Sequence, residues 1–204
     1  MKGSCGAILP KYLVIMVKEP RPGRVKTRLA AALGPTGAAW WFRHQCRALL
    51  RRLADPRWRL VLAVSPDAEG IESRVWPASV ARIPQGPGDL GARMGRIFRG
   101  LPPGPAVIVG ADIPDIDRPQ IAAAFAALGR HDAVLGPADD GGYWLIGLKR
   151  SAAVPAGLFA GVRWSTAHAL ADTLATLGTN RVALIETLRD VDTARDLAMR
   201  RGAQ

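Results

Sequence analysis

Short, strongly apolar runs recur along this chain, each of strand length and each followed by residues with helical spacing. This alternation limits the available folds more than any other feature. The runs are Tyr12–Val17, Leu60–Val64, Ala106–Val109, Ala133–Leu135, Tyr143–Leu148 and Val182–Ile185. Their Val, Ile and Leu content fits strands buried on both faces. Helical patterns fall at Thr36–Leu53, Leu90–Arg99, Arg118–Leu128, Ser165–Leu177 and Thr193–Arg200, with Thr36 and Ser165 placed as N-caps and Gly178 as a stop. The order predicts an α/β chain with a mostly parallel central sheet and helices on both faces. In open sheets of this kind the ligand crevice lies beyond the carboxyl ends of the strands, so chemistry is expected just after each run.

A chain of 204 residues is close to what one core can fill, so 1–204 is read as one domain, with 1–10 as a flexible terminus. The segment Pro102-Pro103-Gly104-Pro105 is a stiff loop into the Ala106 run and not a boundary. Tyr12–Val17, flanked by Lys11 and Lys18, is too short for a membrane span or a secretory segment, which predicts a cytoplasmic protein with no membrane partner. Cys5 and Cys46 form no C-x-x-C, and His44, His131 and His168 have no metal-ligand spacing, so neither a disulfide framework nor a zinc site is expected. The formal charge of +11 calls for an anionic partner. Nearly all of it is Arg in a chain rich in Ala, Gly and Pro, a bias that codon composition alone can produce. With no recognised nucleic-acid motif beside it, a phosphorylated small molecule is the favoured partner over nucleic acid. Trp40-Trp41 is read as core packing on a helix.

Four segments carry candidate chemistry. Lys18-Glu19-Pro20-Arg21-Pro22-Gly23-Arg24-Val25-Lys26-Thr27-Arg28 places five cations within eleven residues. Polyphosphate suits it: backbone N–H groups can approach where Gly23 allows, Lys26 offers a point charge and Arg28 a fork. The G-x-x-x-x-G-K-[ST] pattern is absent, and a solvated basic loop is the alternative. Next, Pro84-Gln85-Gly86-Pro87-Gly88-Asp89-Leu90-Gly91-Ala92-Arg93-Met94 runs into a helix that Asp89 could cap, and its backbone or the Gln85 amide could read a base edge or ribose. An ordinary Gly-rich turn is the alternative here.

After the Ala106 run comes Gly110-Ala111-Asp112-Ile113-Pro114-Asp115-Ile116-Asp117. A carboxylate at the end of a buried strand needs a cation or a metal, and Mg²⁺ or Mn²⁺ beside phosphate oxygens suits Asp112. Helix capping is the competing role, more so for Asp115 and Asp117. The fourth segment is split between Gly136–Trp144, a tight turn in which Gly141-Gly142 permits positive φ, and Asp190-Val191-Asp192-Thr193, where Asp192 could simply cap a helix.

In this order, P-G-R-V-K-T-R-L, G-D-L-G-x-R-M, G-A-D-I-P, D-D-G-G-Y-W-L-I-G-L, R-W-S-T and D-V-D-T resemble the GT-A-like superfamily of nucleotide-diphospho-sugar transferases. Within it they are similar to the bacterial DUF2064-type family, related to the guanylyltransferase of coenzyme F420 biosynthesis and often labelled arsenosugar-biosynthesis glycosyltransferases. The resemblance implies a Rossmann-like GT-A fold. It implies nucleotide binding by Lys18, Gly23, Lys26 and Arg28 at the phosphates and by Gln85, Gly88, Asp89, Leu90 and Gly91 at the base. It also implies a divalent ion on Asp112 and Asp192, although the residues alone do not separate Asp192 from Asp190. Asp140, Gly141, Gly142, Tyr143, Trp164, Ser165 and Thr166 would then line an acceptor site.

Glycosyltransferases of this fold usually carry a D-x-D pair, whereas here position 114 is Pro, and Asp115-Ile116-Asp117, formally such a pair, lies further into the loop. The D-x-P form is more like nucleotidyltransferases. The expected reaction is transfer of a nucleotidyl group from a nucleoside triphosphate to a small phosphorylated or carboxylate acceptor, with Lys26, Arg28 and Asp112 as the catalytic set. A glycosyltransferase using a nucleotide sugar is the alternative, followed by a binding protein without turnover or a basic nucleic-acid adaptor.

Overall fold

Successive residues of the first apolar run point into different cores. The computed structural model describes residues 9–113 and 115–188, and in it Tyr12–Lys18 forms β1. Leu13, Ile15 and Val17 pack into one apolar cluster, while Tyr12 and Val14 pack into another. This period of two is the strand geometry, and a side chain buried on each face explains why the run is continuously apolar.

The first cluster is covered by α1 (Thr27–Leu53) and α4 (Arg118–Ala127) through Phe42, Leu49, Leu53, Ile121 and Phe125. The second is covered by α3 (Leu90–Gly100) and α5 (Ala169–Thr176) through Met94, Ile97, Phe98 and Ala169. Fully burying one such Leu, Ile or Phe is worth about 1.5–3 kcal/mol.

The remaining strands are β2 (Arg59–Ser65), β3 (Ala81–Pro84), β4 (Ala106–Gly110), β5 (Ala133–Pro137), β6 (Tyr143–Leu148) and β7 (Val182–Leu184), with α2 (Asp67–Glu72) after β2. They form a seven-stranded sheet in the order β3-β2-β1-β4-β6-β5-β7. All pairings are parallel except those of β6, which runs antiparallel to both β4 and β5. The α/β architecture with helices on both faces is therefore as the sequence predicts, and six of the strands coincide with the apolar runs.

Several local expectations are corrected. Helix α1 starts at Thr27, nine positions before the expected cap, because the chain is helical on both sides of a break at Gly34 (φ 72°, ψ 160°). Pro35 follows that break, where its missing N–H costs nothing, so Thr36 is not an N-cap. Helix α5 starts at Ala169, and Ser165 lies outside it with φ 59°. Trp40 is 64% exposed with its ring against His44, so of the tryptophan pair Trp41 alone packs on the core. Asp89 caps α3 by accepting from the Ala92 N–H, and Gly178 follows α5 with φ 58°. Asp117 and Gln120 form a capping box on α4, which settles the role of that aspartate. Among the described residues, no helix is long and apolar enough to cross a membrane.

Candidate active site

From β1 the chain proceeds outward through β2 and β3, then returns to place β4 on β1's other side. Loops leaving the carboxyl ends of β1 and β4 therefore diverge, and a crevice opens between them. A cleft of about 640 Å³ occupies this position. Met16–Lys18 and Ile108–Asp112 contribute its strand ends, and Tyr143–Ile146 enter from antiparallel β6.

One wall comes from the loop after β1 and the first turn of α1, with Lys18, Arg24, Lys26, Thr27 and Arg28 lining the cleft. Lys26 adopts a left-handed conformation (φ 47°, ψ 48°) as the chain turns into α1, at a cost of about 1–2 kcal/mol for a residue with a Cβ. Its side chain is only 5% exposed, and Nζ lies 3.0 Å from Asp112 Oδ1. Asp112 itself is 52% exposed, so the carboxylate is less buried than its place after a core strand suggests. Arg21 and Arg24 pair with Glu69 of α2 at 3.2 and 3.6 Å. Gly23 has φ 76° and open space around it, and is not on the cleft wall. Beneath this wall, burial pushes the Cys46 thiol well above its ordinary range, with Asp112 reinforcing the shift and Lys26 opposing it. A thiol held protonated is not a nucleophile.

The other wall is the segment from Gln85 to Met94, with Gln85, Gly88, Asp89, Leu90, Arg93 and Met94 facing the cleft. Gln85 is buried, and its amide donates to the carbonyls of Val17 (3.1 Å) and Ala63 (2.8 Å). Those N–H groups are thus spent on the sheet and are not offered to a base edge. The Gln85 carbonyl accepts from Arg96 Nη1 at 2.7 Å, and the Gly86 N–H donates to Asp67 of α2 at 3.1 Å. Gly91 lies beneath Phe159 and Trp164: a Cβ there would stand 2.6 Å from Phe159 Cβ and 2.8 Å from Trp164 Cζ2. Close packing, and not contact with the cleft, therefore accounts for this glycine in G-D-L-G.

Of the expected acceptor residues, Tyr143 lines the cleft; Asp140, Gly141, Gly142, Trp164, Ser165 and Thr166 are not part of its wall. They are joined to Tyr143 from behind. Asp140 accepts the Gly142 N–H at 2.9 Å, Gly141 has φ 83°, and its carbonyl accepts from Leu170 at the start of α5. Trp164 meets the Tyr143 ring edge-on at 6.4 Å, and burial pushes the Tyr143 phenol above its ordinary range. Arg163 and Asp172 form a two-pronged pair at 2.9 Å on each arm, anchoring the segment that carries Ser165 and Thr166.

Asp190 and Asp192 lie outside the described residues. Among the described residues, no group of three or more His, Cys, Asp or Glu side chains could hold a metal. Mg²⁺ bound with nucleotide needs only one or two carboxylates besides phosphate oxygens, and a half-exposed Asp112 on the cleft fits the protein's share of such a site. The cleft is also lined by Arg93, Met94 and Trp144, which lie inside the candidate segments without being named as site residues, and by Met16 of β1. For Arg93 a signal existed: it lies four residues after the Asp89 cap, on the same helical face.

Sheet order, the crevice at β1 and β4 and its charged loops define an α/β fold of the GT-A and nucleotidyltransferase kind. The chain belongs to the DUF2064 family, described as uncharacterized proteins conserved in bacteria, whose model matches residues 48–166. A crystal structure from Desulfovibrio desulfuricans G20, provisionally named a nucleotide-diphospho-sugar transferase, is 31% identical. The match spans 92% of this chain and 84% of that one, with a TM-score of 0.82. At 17% identity, a 2-C-methyl-D-erythritol 4-phosphate cytidylyltransferase from Thermus thermophilus shares the fold (96% and 98% covered, TM-score 0.54). So does Rv0371c from Mycobacterium tuberculosis H37Rv, crystallised with manganese, at 12% identity (94% and 97% covered, TM-score 0.54). No curated protein sequence matches the chain.

Proposed function

We propose that this protein is a divalent-metal-dependent transferase that binds a nucleoside triphosphate in the cleft and transfers its nucleotidyl group to a small phosphorylated or carboxylate acceptor. The observation that carries this reading is the Lys26–Asp112 pair at the β1/β4 crevice, with Lys18 and Arg28 on the same wall. An acceptor oxygen bonds to the α-phosphorus, the bond from that phosphorus to the α,β-bridging oxygen breaks, and pyrophosphate leaves with the electron pair. Lys26 and Arg28 neutralise charge on the departing pyrophosphate, and the Gln85–Leu90 wall holds the nucleoside. Mg²⁺ or Mn²⁺, held by Asp112 and Asp192, would supply charge neutralisation at the α-phosphate. Tyr143 borders the acceptor side.

A second reading, glycosyl transfer from a nucleotide sugar, draws support from the name of the 31%-identical relative. Nucleoside triphosphates and nucleotide sugars are first screened by thermal shift with and without Mg²⁺, since a ligand of the folded state raises Tm. Both donor types are then offered to one acceptor library. Pyrophosphate release from a triphosphate supports the first reading. Sugar transfer with nucleoside diphosphate release, and no pyrophosphate from any triphosphate, replaces it with the second.

A further inference from the structure

Gln85 and Arg93 form a pair to which the proposed reaction assigns no joint role. Both amide hydrogens of Gln85 are taken by Val17 and Ala63, near the carboxyl ends of β1 and β2, so the sheet fixes the plane of this side chain. Its Oε1 accepts from Arg93 Nη1 at 3.4 Å, while Arg93 Nε donates to the Gly88 carbonyl at 2.9 Å. A guanidinium carries five N–H groups in one plane. These bonds use two of them, and the rest lie on the Nη atoms of a residue that lines the cleft.

We propose that Arg93 is a nucleotide-binding residue: its outer N–H groups take an oxygen acceptor of the bound nucleotide, and Gln85 is the positioning residue that holds the fork at the cleft wall. This rests on the nucleotide-binding reading above. Lysine would not replace it, because a single ammonium cannot stay bonded to Gly88 and Gln85 and also present a planar fork. The acceptor is either a phosphoryl oxygen or an exocyclic carbonyl of the base, both of which accept from a cationic donor.

The test is calorimetric titration of the full-length wild type and of Arg93→Ala, Arg93→Lys and Arg99→Ala. The probes are inorganic tripolyphosphate, GTP, UTP and ATP, each with Mg²⁺. Both Arg93 variants should weaken the best-bound nucleotide by about tenfold or more, with Arg99→Ala unchanged. An equal loss for tripolyphosphate assigns the phosphoryl oxygen. A loss for GTP or UTP with tripolyphosphate and ATP untouched assigns the base carbonyl. Wild-type affinity in both Arg93 variants overturns this role alone, whereas a wild type that binds no nucleotide overturns the proposed function with it. Should Arg93→Ala fail to fold, the wild-type Arg93 Nε–H resonance, identified by its loss in Arg93→Lys, gives the answer. A ligand-induced shift supports the contact, and no shift with any bound nucleotide refutes it.

Discussion

The loop after β1 and the loop after β3 face the same cleft but are held in different ways. The β3 loop is braced along its length: Gln85 is bonded to two strands, Arg96 to the Gln85 carbonyl, Gly86 to Asp67, and Asp89 to the first turn of α3. The β1 loop instead lends its cations to neighbours, Arg21 and Arg24 to Glu69 and Lys26 to Asp112. Space around Gly23 is open, while Gly86, at a similar φ, is crowded by the Arg96 guanidinium. A preorganised surface suits recognition of shape, and a wall of charges suits binding of phosphate. Short helix α2 serves both, through Asp67 on one side and Glu69 on the other.

The largest expected effect breaks the charged wall at its centre. Asp112→Asn should lower Mg²⁺-dependent turnover by about a hundredfold or more, with the fold kept because the near-isosteric amide still offers an oxygen to the buried Lys26 ammonium. Turnover and Tm are measured on the same preparation, and full activity would remove Asp112 from the metal site. Next, Lys26→Ala should weaken nucleotide affinity by about tenfold, while Arg99→Ala, an equal charge loss outside the cleft, should not. Equal effects would mean that general basicity is responsible.

A third test contrasts a glycine in the first turn of α3, where the β3 loop ends, with a glycine of the β1 loop. Gly91→Ala forces a Cβ against Phe159 and Trp164 and should cost about 1–3 kcal/mol by overpacking. Gly23→Ala meets no neighbour and should cost only about 1 kcal/mol for its positive φ. Chemical denaturation ranks them, and the reverse order would contradict the braced and open descriptions. The smallest effect belongs to neither loop. Hydrogen bonds from Arg163 hold the Asp172 carboxyl below its ordinary range, so its contribution to stability is present above the unfolded-state value of about 3.9 and lost as pH falls through the lower folded-state value. Asp172→Asn should therefore lower Tm slightly at neutral pH and not at all once the wild-type carboxyl is protonated, as a melting series from neutral pH into strong acid would show.

The strands that the sequence reveals most plainly are those buried on both faces, such as β1, β4 and β6, where a continuous apolar run leaves little choice. Edge strand β7 was found through its V-A-L-I run although none of its residues is fully buried. Sequence reasoning missed β3, whose A-R-I-P has no fully buried residue, and α2, a single short turn-and-a-half around Gly70. Both lie toward the sheet's edge, where burial is one-sided and the periodic signal is weak. The site divides in the same way. Lys18, Lys26, Arg28 and Asp112 were legible because charge after a buried strand is conspicuous, and the cleft brings them together. Arg93 was only half legible: its place four residues after the Asp89 cap sets its helical face, but nothing local marks the Gln85 amide and Gly88 carbonyl that hold it.

The sequence by itself determined the layered α/β arrangement and the positions of the cationic and acidic loops, since hydrophobic period and turn chemistry are local properties. Only the tertiary structure decided which polar groups those loops could still offer. Gln85, a base reader in the linear sequence, became a brace because folding brought the Val17 and Ala63 carbonyls to its amide. Gly91 became a packing site because Phe159 and Trp164 arrive from a segment far along the chain. A buried donor such as the Gln85 amide is stabilised by the acceptors within its reach, and what lies within reach is a property of the fold.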